Sequence, residues 1–180
     1  MTSLKTLIPE LADALEMKPS SIYERQRALT RAGLLEMRPG KGPGSGVLAT
    51  PESLAFLLIS LTVPSLSEVE RQTKAIAVLK TRRKRCPLTG KGTFGGALTA
   101  VLQSEKLAKR TSFFVVERGG SEYDATIFFD PKSGEDDHSM KANRHSTFGN
   151  DKARAHQLYT QTYLAFKFAN LAHALTDGKP

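Results

Sequence analysis

Three pieces of the chain decide how it is read: Glu10-Leu11-Ala12-Asp13-Ala14-Leu15, Met17-Lys18-Pro19-Ser20-Ser21-Ile22-Tyr23, and Leu29-Thr30-Arg31-Ala32-Gly33-Leu34-Leu35. Leu7, Ile8, Leu11, Ala12, Ala14 and Leu15 recur at helical steps, with Glu10, Asp13 and Glu16 between them, so one helix face is apolar. Pro9 is expected in the first turn, where its missing N–H costs nothing. Met17-Lys18-Pro19 ends that helix. Ser20 or Ser21 is the expected cap of a second helix, with Glu24 placed to close a capping box. The second helix runs from Ile22 to Arg31 and stops at Ala32-Gly33, glycine being suited to the left-handed position after a helix. Leu34-Leu35-Glu36-Met37-Arg38 and Val47-Leu48-Ala49-Thr50 then flank Pro39-Gly40-Lys41-Gly42-Pro43-Gly44-Ser45-Gly46. A linker of that composition is a loop, and the two flanks predict a β-hairpin.

This order resembles a winged helix-turn-helix, the pattern of many bacterial transcription regulators. The likeness covers roughly residues 4–50. It implies that the second helix is the recognition helix and that Ala32-Gly33-Leu34 marks the approach to the wing. Gln26 departs from the pattern, because the family usually has an apolar core residue there. Either the helix is rotated slightly or Gln26 meets a polar neighbour. The residue types agree with the resemblance. A helix that enters the major groove exposes polar donors near its N-terminus, and Ser20, Ser21, Tyr23, Glu24, Arg25, Arg27 and Arg31 provide polar and charged groups along it. Arginine grips guanine with two hydrogen bonds, and serine or tyrosine reaches phosphate or base edges. On the wing, Arg38 and Lys41 are the candidate backbone contacts. A solvated arginine face is the plain alternative for Arg25, Arg27 and Arg31 taken singly.

Thr50-Pro51-Glu52 is a strong helix start: a capping threonine, proline at the first position and an acid in the first turn. Leu54, Ala55, Phe56, Leu57, Leu58, Ile59, Leu61 and Val63 follow with almost no polar face. Such a helix is buried all round, either by the rest of the chain or by a second copy. After Pro64, Ser65 or Ser67 caps a long third helix. Leu66, Val69, Thr73 and Ile76 give it a short heptad-like stripe, and it ends in Lys80-Thr81-Arg82-Arg83-Lys84-Arg85. Phe56, Leu57, Leu61, Leu66, Val69 and Ile76 are the dimerisation candidates. Residues 51–85 therefore form a helical connector between a DNA-binding domain at 1–50 and a C-terminal α+β domain at 86–180. The fold class expected is α+β, mostly helical, with a C-terminal β-hairpin packed on helices.

The chain has 180 residues and a formal net charge of +8, so a polyanion is the first partner to consider. The charge is unevenly placed. Residues 71–110 hold 11 basic side chains and one acid, Glu105, while residues 1–50 hold 7 and 5. Lys80, Arg82, Arg83, Lys84, Arg85 and Lys91 are the candidate phosphate contacts, with a solvated helix end as the plain alternative. A nuclear-localisation reading has composition alone behind it. Ten of the 13 Phe and Tyr residues follow residue 110, which suggests an aliphatic core first and an aromatic core second.

Other classes are disfavoured. The one cysteine, Cys86, excludes a disulfide framework within the chain and a cysteine-based zinc site. No apolar run approaches the ~18 residues of a membrane span, and no signal peptide is expected. The expected setting is cytoplasmic and nucleoid-associated. Leu88-Thr89-Gly90-Lys91-Gly92-Thr93 lacks the first glycine and the Ser/Thr of a P-loop; it reads as a lysine-bearing turn before a helix over about 94–109.

Phe113–Val116 and Ala125–Phe129 read as a β-hairpin, residues 135–150 as a loop, and about 151–175 as a final helix. His138, His145, His156 and His173 lack metal-ligand spacing, and Glu135-Asp136-Asp137-His138 reads as a solvated charge run. No catalytic set, metal or cofactor is expected. The function expected is a sequence-specific DNA-binding transcription regulator of bacterial or bacteriophage type. It would bind double-stranded DNA as a homodimer, with a protein partner open to its C-terminal domain. The rivals are a phage or plasmid replication or packaging accessory, and a phage-encoded inhibitor that uses a winged helix to bind protein.

Overall fold

The computed structural model describes residues 3–38, 40, 46–130, 145–150, 152–153, 159–165 and 167–177. The first helix, α1, spans Leu4–Ala14, with the Ser3 hydroxyl accepting from the Lys5 N–H at 3.3 Å. It starts earlier than Pro9 suggests, so Pro9 sits inside it. A proline there cannot donate to the carbonyl four residues back. That carbonyl belongs to Lys5, and the Tyr23 hydroxyl donates to it at 3.4 Å.

The second helix, α2, spans Pro19–Arg31 with Lys18 as its N-cap. Neither Ser20 nor Ser21 caps it, because Pro19 has its φ preset for a first helical position and starts the helix one residue earlier. Its end is as expected. Gly33 takes φ +68°, Gly33 N–H donates to Thr30 and Leu34 N–H to Leu29, both at 3.0 Å, the two bonds of a Schellman ending.

The strands β1 (Met37–Arg38) and β2 (Gly46–Val47) pair antiparallel. Leu48 bridges back to Ser3, tying this ribbon to the start of α1. Thr50 then caps α3, Pro51–Leu61, accepting from Ser53 N–H at 3.0 Å. The apolar face all round is real: Leu54, Leu57, Leu58 and Ile59 are wholly buried. Helix α2, α4 (Val69–Ala77) and α5 (Phe94–Gln103) surround it, so the chain covers this helix itself. That corrects the dimerisation set. Leu57, Leu61, Val69 and Ile76 are core residues with no face to offer a second copy. Only half-buried Phe56 and exposed Leu66 keep surface.

The basic run does not lie on a helix end. A 3₁₀ turn at Leu66–Glu68 precedes α4, which stops at Ala77. The stop is set from a distance. Phe94 N–H donates to Leu79 and Thr81 N–H to Gly92, each at 2.9 Å, so the chain beyond Ala77 pairs with Gly92–Phe94 instead of coiling. Gly95 lies close by: a Cβ there would stand 3.0 Å from the Ala77 carbonyl oxygen. The expected helix over 94–109 is two, α5 and α6 (Glu105–Arg110), because Ser104 leaves the helical conformation and caps α6.

The expected hairpin is present and longer, as β3 (Thr111–Gly119) and β4 (Glu122–Phe129). Two further strands extend it: β5 (His145–Phe148) and β6 (Tyr159–Ala165), giving the antiparallel order β5-β4-β3-β6. These correct the loop expected at 135–150 over 145–148 and the helix expected from 151 over 159–165; residues 135–144, 151 and 154–158 lie outside the described residues. Among the described residues of this stretch, helix is α7, Phe168–Asp177. Residues 159–165 are strand because they pair with the second edge of β3, from Phe113↔Ala165 to Gly119↔Tyr159.

The helices cover one side of this sheet. Phe94 of α5 meets Phe114 and Phe148 edge-on at 5.5 Å between centroids, and Phe168 of α7 lies 6.3 Å from Phe114. One contiguous buried cluster runs from Leu4 to Ala172, so the aliphatic and aromatic groups merge into one core. The architecture is α+β. None of its described helices is long and apolar enough to cross a membrane.

Candidate nucleic-acid interface

Helix α2 sorts its polar residues by what α1 and α3 take from them. Ser20, Glu24, Arg27 and Arg31 are exposed, and their steps of four, three and four residues make one stripe. The two arginines of that stripe lie on its C-terminal half, in the direction that favours cations near a helix end. Concave surfaces flank the stripe. Lys5, Ser20, Tyr23 and Arg27 line one; Arg27, Arg31, Met37, Val47 and Leu66 contribute to the other. Arg38 is exposed on β1, opposite Gly46. Lys41 lies outside the described residues.

The remaining candidates on α2 point inward. Arg25 is half-buried, and its guanidinium donates to the Ser60 carbonyl in the last turn of α3. The last carbonyls of a helix have no partner within it, and a cation there also suits the helix dipole. Burial lowers the Arg25 pKa from its ordinary value, yet an arginine remains charged at neutral pH. Tyr23, also half-buried, has its hydroxyl on Lys5. Ser21 is half-buried. Gln26 is half-buried too, and its Oε1 is shut away from solvent with no hydrogen-bond partner among the described residues. The departure at Gln26 therefore leaves a buried acceptor, which carries a cost. Sequence reasoning missed Lys5, whose place beside the α2 stripe follows from the pairing of Ser3 with Leu48.

The second basic region is extended chain beside the sheet. Gly149 N–H donates to Lys80 at 2.8 Å, Thr81 bridges to Phe148, and Arg82 N–H donates to Thr147 at 3.0 Å. The segment thus runs antiparallel along β5, towards His145. Arg82 reaches Asp124 on β4 at 3.1 Å, and Asp124 is wholly buried. Its second carboxylate oxygen accepts from Ala153 N–H at 3.1 Å. Gly149 fits beside it only as glycine: φ is +101°, and an added Cβ would collide with Asp124 Oδ1. Directly across from Asp124, Glu117 on β3 is also buried, and Gln161 on β6 donates to it. Arg82 therefore reaches from an exposed position to the buried carboxylate of this polar row. Lys80, Arg83, Lys84, Arg85 and Lys91 are exposed. Lys91 closes the turn that begins at Cys86, its carbonyl accepting from Cys86 N–H at 2.9 Å.

Among the described residues, no group of three or more His, Cys, Asp or Glu gathers as metal ligands. The run Glu135–His138 and the side chains of His138 and His156 lie outside the described residues. Comparison of the chain with protein-family models, with curated proteins and with solved structures finds no match.

Proposed function

We propose that the chain is a sequence-specific double-stranded-DNA-binding regulator of bacterial or bacteriophage type, acting at the nucleoid in the cytoplasm. On this reading the N-terminal segment works as a winged helix-turn-helix. The observation that carries it is the stripe Ser20, Glu24, Arg27 and Arg31, exposed along one face of α2 while Arg25 and Tyr23 secure the helix from behind. A helix held at its back and polar at its front is suited to the major groove. The ribbon at Arg38 stands beside it for the flanking backbone. Glu24 accepts from cytosine, and Arg27 and Arg31 donate to guanine or to phosphate. A homodimer would use surface other than Leu57, Leu61, Val69 and Ile76.

Selection of bound sequences from a random duplex pool tests the reading. A single enriched sequence is expected, with binding to it outlasting binding to scrambled duplex as salt rises. A pool that stays random at moderate salt overturns it. The replication or packaging rival draws on one observation, the basic segment at 80–91 outside α2. A binder of that kind loses specific and scrambled duplex together as salt rises. A protein-binding inhibitor would keep its duplex behaviour unchanged on Arg27→Gln with Arg31→Gln.

A further inference from the structure

The face of the four-stranded sheet turned away from the helices carries one aromatic ring from each strand. In strand order they are His145 of β5, Phe128 of β4, Phe113 of β3 and Tyr163 of β6. Phe128 and Phe113 are stacked, 4.5 Å between centroids and 16° between planes. His145 lies 5.9 Å beyond Phe128, and Tyr163 lies 6.2 Å beyond Phe113. His145 is exposed and the two phenylalanines are half-buried. Tyr163 is 59% exposed. Three inter-strand steps of ~4.8 Å give this row a span of about 14 Å. A row of rings across an antiparallel sheet backed by helices is a surface on which two or three unpaired bases stack.

The charge beside the row matches such a strand. The chain at Lys80–Arg82 bonds Gly149 and Thr147 on the outer edge of β5, and exposed Lys84 and Arg85 lie in the bulge between Arg82 and Cys86, which turns back to Lys91. Of the three strand carboxylates on the same face, half-buried Glu122 stands at the end of β4 away from Phe128, and the other two do not oppose an anion. Asp124 is paired with Arg82, Glu117 is bonded by Gln161, and both are buried. From these observations we infer a second nucleic-acid site: single-stranded DNA lies with its bases on the four rings and its phosphates on Lys84 and Arg85. DNA is the fitting strand because neither of the two central rings can receive a 2′-hydroxyl. Phe128 and Phe113 have no polar group, and the Tyr163 hydroxyl is already given to Gln161 at 2.9 Å.

Fluorescence anisotropy of a labelled 15-nucleotide oligo(dT) with the full chain tests this site. The chain is expected to bind it. Tyr163→Ala, at an exposed position, is expected to weaken binding roughly ten-fold with the melting curve unchanged, while Tyr163→Phe keeps it. Phe128→Leu, which retains an apolar side chain, weakens it by a similar factor. Lys84→Gln with Arg85→Gln should lower the slope of log affinity against log salt by about 1.4, two phosphates' worth for a single strand. Absence of binding, or binding indifferent to both ring substitutions, overturns the site. Tighter binding of oligo(U) overturns DNA as its occupant. A dimer in sedimentation that Tyr163→Ala dissociates assigns the face to a second copy instead, and overturns it too. Arg27→Gln with Arg31→Gln is expected to leave oligo(dT) affinity intact, so this site and the duplex reading of α2 succeed or fail separately.

Discussion

Helix α2 and the segment at 82–85 each contain a short group of basic residues, and each gives one arginine to the fold. In α2 it is Arg25, set on a neutral carbonyl of α3. In the second it is Arg82, set on a carboxylate that has no exposure at all. The difference lies in what is left behind if the arginine goes. Stripping Ser60 leaves a neutral carbonyl that still accepts from Val63 N–H at 3.1 Å. Stripping Asp124 leaves a buried charge, and a buried charge without its partner is the more costly loss. The N-terminal helices therefore tolerate change at their basic residues better than the sheet does.

The sharpest way to break this contrast is Gly149→Ala. It forces a Cβ against Asp124 Oδ1 at a left-handed φ, combining backbone strain with overpacking. A loss of about 3 kcal/mol is expected in urea unfolding, and an unchanged midpoint would show that the Asp124 cradle is loose. Arg82→Met should cost about 2 kcal/mol. This is below the usual figure for a broken buried pair because Arg82 is 34% open to water and Asp124 keeps the Ala153 N–H. Arg25→Met should cost about 1 kcal/mol, the net worth of one hydrogen bond, because the Ser60 carbonyl keeps the Val63 N–H. If it exceeds Arg82→Met in the same assay, the ordering of the two regions is wrong. Arg27→Gln is expected within ~0.5 kcal/mol of the parent in stability. Its effect belongs to binding instead: about ten-fold weaker hold on the selected duplex in a gel shift.

The sequence made some of this legible and left the rest to distant partners. Thr50-Pro51-Glu52 announces α3, and Gly33 announces the end of α2, because capping is decided by adjacent residues. The stop of α4 at Ala77 is not announced. It is imposed by Gly92–Phe94, which pair with the chain beyond it. In β6, Tyr159, Tyr163 and Leu164 are spaced as well for a helix as for a strand, and the free edge of β3 settles the matter. The site divides likewise. Ser20, Glu24, Arg27 and Arg31 follow from helical spacing alone. Arg25 and Tyr23 look equivalent in sequence, but their partners are 35 and 18 residues away. Pro9 was the missed signal for Tyr23, since a proline within α1 frees the very carbonyl that Tyr23 bonds.

Helix α3 is wall to both halves of the molecule, with α2 against it on one side and α5 on another. The buried cluster passes through it without interruption. Opening the sheet to water therefore undoes the support of α2 as well. A ligand that holds α2 in place at a hundred times its Kd adds about 2.7 kcal/mol to that shared opening. Amide hydrogens in β3 and β4, which touch nothing bound at α2, then exchange more slowly by the same free energy. Deuterium uptake in the middle of the sheet becomes a remote gauge of whether α2 is occupied.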